Sequence, residues 1–342
     1  MSRRALTLVM GIVLAVALAV TGSVHTVNYV ALGPGPSINT LGSDGGAEVL
    51  AITGAKTYPT DGSLALTTVS VQDKITLFQA LAGWLSPRTA VIPREIVLPP
   101  DKTEDQRQQE NQQEMQQSQD DATTAALREL GYPAMTTVVV STVKNGAPAD
   151  GKLKPADVLI SIDGSAVTDA RSVGALVRKH QPGDVVKVAY TREGKPSTAS
   201  ITAGVSTDKP TRAVLGITAA ENSTFDVKVD IKLSNIGGPS AGLMFALGIV
   251  DKLGPDSLTG GRKIAGTGEI TPDGTVGPIG GIAEKMIGAK ERGATVFLSP
   301  AENCPEAKST KPDGITLIKV STLKGALAAL TTLRSGGTPP SC

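Results

Sequence analysis

The chain has 342 residues, 40% of them hydrophobic and 19% charged, with a formal net charge of +1. That length is enough for two or three domains, and the composition is that of a largely globular protein. Aromatic residues are only 3% of the total and no basic stripe runs among them, which excludes nucleic acid as an expected partner.

Segment 1–32 reads as membrane-directed. Ala5 to Ser43 contains no Asp, Glu, Lys or Arg, and Ala5–Val20 is almost wholly apolar. A helix needs about 20 such residues to span a bilayer. Arg3 and Arg4 precede the run, so the expectation is a single-pass anchor in the cell membrane with the remainder of the chain extracytoplasmic. Ala17-Leu18-Ala19 offers a small-x-small cleavage site, and a removed signal peptide is the alternative. Cys304 and Cys342 both fall on the exported side, where an oxidising compartment permits a bridge; two unpaired thiols are the alternative. No His/Cys cluster suits zinc, so neither metal nor cofactor is expected.

Region 33–100 contains two expected strands, Glu48–Ala55 and Ser63–Val71, around the turn-rich Tyr58-Pro59-Thr60-Asp61-Gly62. A proline-punctuated stretch carries on to Pro100. Segment 101–130 is glutamine-rich: Asp101 to Asp120 holds eight glutamines and eight charged residues. Met115, Ala122, Ala126 and Leu130 nevertheless share one helical face. This predicts a long, solvated helical connector that docks near its C-terminal end and stops at Gly131.

Strand-like runs follow at Thr136–Val143, Val158–Ile162 and Val185–Tyr190, with a short helix presenting Val173, Leu176, Val177 and His180. Asn145-Gly146-Ala147-Pro148-Ala149, followed by Asp157-Val158-Leu159-Ile160-Ser161-Ile162-Asp163-Gly164, resembles a PDZ domain over about 131–205. Ala156 stands where such domains usually have glycine. The resemblance implies a groove between a strand and the helix, into which an extended peptide adds as a further strand. Leu130-Gly131-Tyr132 is the expected loop for a chain terminus. His180 reads as an ordinary helix-end residue.

In region 206–332, Phe225–Ile231 alternates as a strand does. Gly237-Gly238-Pro239-Ser240 then leads into an apolar helix, Ala241–Val250, with Pro239 suited to its first position. Ser240 is thereby expected at a helix N-terminus, where the backbone of Gly237, Gly238 and Ala241 faces substrate and free amides hold an oxyanion. Lys285 is expected early in a second helix, Ile282–Arg292. The chain has two histidines, His25 and His180, neither in a usable context, so a lysine is the best base for Ser240. Burial and the positive helix end both lower a lysine pKa, and Thr267 is placed to hydrogen-bond its amine. Glu269 and Glu284 read as structural or solvated. Residues 333–342 form a tail.

Gly238-Pro239-Ser240-Ala241-Gly242, Thr267-Gly268-Glu269-Ile270, Gly277-Pro278-Ile279-Gly280-Gly281, Glu284-Lys285 and Pro300-Ala301-Glu302-Asn303 together resemble the proteolytic domain of Lon-type serine peptidases. By matching position, Ser240 corresponds to the nucleophile, Lys285 to the base and Thr267 to a supporting hydroxyl. Gly237 departs from the pattern, since many Lon proteases carry an acidic residue there. The whole arrangement is similar to bacterial membrane-bound Lon-like PDZ proteases. The implied fold is an α/β (α+β) Lon-type proteolytic domain with a β-rich PDZ domain and an N-terminal transmembrane helix. The strands at 48–71 either pair into the Lon-like sheet, making the PDZ-like domain an insertion, or form a separate cap. No G-x-x-x-x-G-K-[ST] motif occurs, so the expected activity is ATP-independent endopeptidase cleavage of polypeptide substrates. The resemblance also implies a homo-oligomer, a hexameric ring. The alternative is a membrane-anchored peptide-binding or holdase module with a silent protease domain.

Overall fold

The computed structural model describes residues 3–206, 211–233 and 236–342, so the first two residues of segment 1–32 lie outside it. The chain divides into two compact units. Met1–Tyr132 and Asp226–Cys342 form the first, and Pro133–Phe225 the second.

Along the chain, helix α1 (Arg3–Val24) comes first; by length and composition it can cross a membrane. Strand β1 (Tyr29–Asn39) follows, then β2 (Ser63–Gln72), helix α2 (Leu77–Trp84) and β3 (Ala90–Pro93). Helix α3 (Glu104–Glu129) starts at a capping box, in which Thr103 accepts from Gln106 N–H and the Gln106 side chain accepts from Thr103 N–H. The second unit supplies β4 (Met135–Val143), β5 (Val158–Ile162), helix α4 (Ala170–Val177), β6 (Val185–Arg192), β7 (Lys195–Thr202) and β8 (Ile217–Thr224). The chain then completes the first unit with helix α5 (Gly242–Leu253), β9 (Lys263–Gly266), helix α6 (Ile282–Glu291), β10 (Val296–Pro300), β11 (Thr316–Val320) and helix α7 (Leu323–Arg334).

The first unit is built on one mixed sheet, in the order β11-β10-β9-β2-β1-β3. Strands β2, β9, β10 and β11 run parallel, with Ala65 opposite Ala265 and Phe297 opposite Leu317. Strands β1 and β3 continue it antiparallel. The middle strands read as near-continuous apolar runs because both faces are covered. Helix α5 lies in the core, buried at every position from Gly242 to Asp251, as its unbroken apolar sequence requires. Met286 and Ala289 of α6 pack with Phe297 and Ala265. A disulfide joins Cys304 to Cys342 and ties the tail to this unit.

The second unit is an antiparallel sheet in the order β7-β6-β5-β4-β8. It extends beyond the expected 131–205, because β8 pairs along the length of β4 and becomes the edge of the sheet. Its core holds Val138, Val140, Ile162, Val186, Val188 and Ile201. Asp157, 1% exposed, receives both guanidinium contacts of Arg192 at 2.7 Å and the Lys154 N–H at 2.8 Å. Burial alone would raise that carboxyl; the Arg192 and Lys154 hydrogen bonds outweigh it and hold the pKa below the usual range. Ala156, just before it, has φ +70.

Candidate active site

Helix α5 begins at Gly242 with Ala241 as its cap, so Pro239 lies before the helix rather than at its first position. What fixes the Ser240 loop is a set of hydrogen bonds to two segments, helix α3 and the residues just after β9. Ser118 Oγ of α3 donates to Pro239 O at 2.9 Å. Thr267 Oγ1 and Gly268 N both donate to Ser240 O at 2.9 Å. Gly238 N donates to Asn111 O of α3 at 3.0 Å. A backbone held in this way needs no rearrangement to keep the serine aimed.

Helix α6 carries the lysine. Lys285 N–H donates to Gly281 O at 3.1 Å in the first turn. The loop leading into α6 is clamped by Asn303, which accepts from Ile279 N at 2.9 Å and donates to Ile279 O at 2.8 Å. Lys285 Nζ then lies 2.9 Å from Ser240 Oγ and 3.1 Å from Thr267 Oγ1. Ser240, Lys285 and Thr267 are thus brought together.

Lys285 is 4% exposed. Burial pushes its pKa down to about 8, with the Glu269 carboxylate pulling the other way. Burial is therefore the main cause. An amine titrating near 8 is neutral in a useful fraction at ordinary pH and can take a hydroxyl proton. Thr267 is well placed to aim it: its own hydrogen goes to Ser240 O, leaving a lone pair for Lys285.

The cleft over this pair encloses about 390 Å³. Its apolar wall includes Val69 of β2, Met115 of α3 and Ile236. Glu269 lines it too, its carboxyl held above the usual range by partial desolvation and by Glu114, against the pull of Lys285. Glu269 is exposed, as the solvated reading expected, and its charge acts on the lysine from the rim of the cleft. Glu284, 7% exposed, does not line the cleft.

Two expectations are corrected. Gly238 N–H, proposed from the sequence to face substrate, is occupied by Asn111 O; the amides of Ser240 and Ala241 make no hydrogen bond among the described residues. The glutamine-rich helix is more than a solvated connector docked by its C-terminal end. Asn111, Met115 and Ser118 place its middle against the serine loop. A Cβ at Gly237 would meet Asn111 Cβ at 2.8 Å, which explains why this chain has no acidic side chain there. The signal available in the sequence was the periodic Met115 within an otherwise polar run.

In the second unit, a groove runs between α4 and the edge strand β8. Val173 and Val177 line one side, Leu215, Gly216, Ile217 and Ala219 the other. None of Leu130, Gly131 and Tyr132 lines it; the corresponding loop is Leu215-Gly216-Ile217, which leads into β8. Outside the groove lining, His180 Nε2 pairs with Asp163 at 2.8 Å.

Fold and site together define a two-module protein: an α/β unit with a serine–lysine pair in a cleft, and a β unit with an open strand edge beside a helix. Residues 177–331 match the Lon protease (S16) C-terminal proteolytic domain, and residues 108–203 match the PDZ domain. The chain carries a Lon-type proteolytic domain together with a PDZ domain. It is 34% identical to Lon protease 1 of Sorangium cellulosum over 167 residues, 47% of this chain and 19% of that protein. It is 32% identical to Lon protease 1 of Bacillus subtilis over 118 residues, 33% of this chain and 15% of that protein. The chain spans less than a fifth of the length of these relatives. A solved PDZ domain of an SdrC-like protein from Listeria innocua is 31% identical, covering 24% of this chain and 90% of that one, with a TM-score of 0.22.

Proposed function

We propose that the protein is a membrane-anchored serine endopeptidase that works without ATP, through a Ser240–Lys285 dyad, on flexible polypeptides. The observation that carries this reading is the 2.9 Å approach of a buried lysine amine to a serine hydroxyl in an open cleft. Neutral Lys285 takes the proton of Ser240 Oγ as that oxygen bonds to the scissile carbonyl carbon. The amides of Ser240 and Ala241, unpaired among the described residues, are the donors for the oxyanion. The Lys285 ammonium then protonates the departing amine, the C–N bond breaks, and an acyl ester remains on Ser240. Water, deprotonated by the same amine, attacks that ester and releases the acid.

Met115, Val69 and Ile236 favour an apolar substrate side chain next to the scissile bond. The groove at β8 recruits an extended segment by strand addition. The sequence holds no G-x-x-x-x-G-K-[ST] motif, so this reading limits the chain to substrates that need no forced unfolding. Helix α1 serves as the span, with the catalytic unit extracytoplasmic. A fluorophosphonate probe is the direct test. Labelling of Ser240 in the purified protein, lost in Ser240→Ala and Lys285→Ala, is the expected result. Intact peptide binding with no labelling and no peptidase activity would leave a binding module instead.

A further inference from the structure

Helix α2 is inside out. Thr76 caps it with a reciprocal pair: Gln79 N–H donates to Thr76 Oγ1 at 3.3 Å, and Thr76 N–H to Gln79 Oε1 at 2.7 Å. The helix contains no charged residue. Its inward face is the small pair Ala80 and Gly83, and a Cβ at Gly83 would meet Val91 Cγ2 at 2.4 Å. Its large apolar residues recur at 77, 78, 81, 84 and 85, one helical face. That face points outward. Leu77, Phe78, Leu81 and Trp84 are 43–53% exposed, and Leu85 is 87% exposed. Large apolar side chains gathered on the outside mark an interaction surface.

The occupant follows from where α2 is fixed. Residues just beyond α1 pair with those just before α2: Thr26 bridges Thr76, and Val27 N–H donates to Ile75 O at 2.9 Å. A Cβ at Gly22 would meet the Phe78 ring at 2.7 Å, so α1 and α2 touch directly. The 22 residues of α1 extend about 33 Å, against a hydrocarbon thickness of about 30 Å. With Arg4 at one boundary, Gly22 falls at the other, and Phe78 beside it.

We propose that α2 is an interfacial anchor, its Leu77–Leu85 face seated at the boundary between headgroups and acyl chains of the bilayer that α1 crosses. This rests on the reading of α1 as a span. An uncharged apolar face with a tryptophan at its end has the chemistry of that boundary. Helix and span then hold the unit at two points, so its distance and tilt relative to the membrane are set by the fold.

Trp84 is the one tryptophan of the sequence. Its ring stands edge-on to Tyr29 at 5.6 Å between centroids, and its Nε1 donates to Val91 O at 3.3 Å, so its emission reports a defined position. The full chain, reconstituted in phosphatidylcholine–phosphatidylglycerol vesicles, is the sample. The expected result is loss of most Trp84 emission to lipids brominated near the headgroup end of the acyl chain, little loss to aqueous iodide, and retention in the vesicles after carbonate washing. Leu77→Ser/Leu81→Ser, both at exposed positions, should stay in the vesicles, keep peptidase activity on a short soluble peptide, and gain iodide quenching. Retained protein in which iodide quenches Trp84 and brominated lipid does not would overturn the proposal while sparing the anchor. Shielding from both quenchers would assign the face to a protein contact such as a second copy, and overturn it equally. Release by carbonate would sink the span itself, a distinguishable failure.

Discussion

Asp157 and Lys285 are almost equally buried, at 1% and 4% exposed, yet they are treated in opposite ways. Asp157, in the PDZ unit, has a bidentate guanidinium and a backbone amide, and its carboxyl is held in the charged form. Lys285, in the proteolytic unit, has two hydroxyl neighbours and no ion pair among the described residues, and its charged form is disfavoured. A compensated buried charge serves the fold. An uncompensated one costs stability and is available for proton transfer. The PDZ unit is on this view optimised around its buried charge, and the proteolytic unit is not.

The largest effect that bears on this contrast is on rate. Lys285→Arg keeps the charge but cannot shed it, and peptidase activity should fall at least 10²–10⁴-fold, roughly the contribution of a general base. Appreciable turnover by the purified variant would remove Lys285 from the chemistry. In the other unit, Asp157→Ala strands Arg192 and should cost about 3 kcal/mol, the lower end for breaking a buried pair, since Arg192 is partly exposed. Amide exchange across β5 and β6 reads this, and should leave β9 and β10 protected.

Lys285→Met should move stability the other way. The folded-state pKa is about 8 against an ordinary 10.5, and the difference of 2.5 units at about 1.4 kcal/mol each bounds the penalty at about 3.5 kcal/mol. Below pH 8 the amine is protonated in both folded and unfolded chains and the penalty is complete. Between about 8 and 10.5 the folded chain has released its proton and the unfolded chain has not, so native stability should climb with pH. Lys285→Met should gain about 1–3 kcal/mol at pH 7 and lose that climb, as denaturant melts at several pH values would reveal.

Activity should rise with pH through about 8 as the amine becomes neutral. Glu269 raises the lysine pKa, so Glu269→Gln should move the acid limb of the kcat/KM profile to lower pH, by less than about one unit for a solvent-screened carboxylate. An unmoved limb would detach Glu269 from the dyad. The smallest effect is in the PDZ unit. Ala156 holds φ +70, a region that disfavours any residue with a Cβ, and Ala156→Gly should stabilise that unit by about 1 kcal/mol. Thermal unfolding resolves the sign.

The meeting of Ser240, Thr267 and Lys285 was legible in the sequence because each stands in a short glycine-bearing motif. The groove was half legible. Its helix residues Val173 and Val177 were read from periodicity, but a Leu-Gly pair occurs at both Leu130-Gly131 and Leu215-Gly216, and only strand pairing across the unit distinguishes them. Helix α2 escaped notice because it is short, lies among prolines, and directs its large apolar residues away from the core. In α3 the glutamines hid a contact made by Asn111 and Ser118, two polar residues whose hydrogen bonds leave no periodic trace.

Strand β2 pairs with β9, and Thr67 donates its hydroxyl to Gly266 O, 199 positions further on. During synthesis β2 therefore waits for its neighbour until the intervening chain, including every residue of the PDZ unit, has emerged. That unit closes on shorter-range pairings and can mature first. Ser240 and Lys285 arrive late, and the parallel strands that back them are not complete before Val320. The order in which the chain is made thus keeps the Ser240–Lys285 pair unassembled while the growing polypeptide is itself extended.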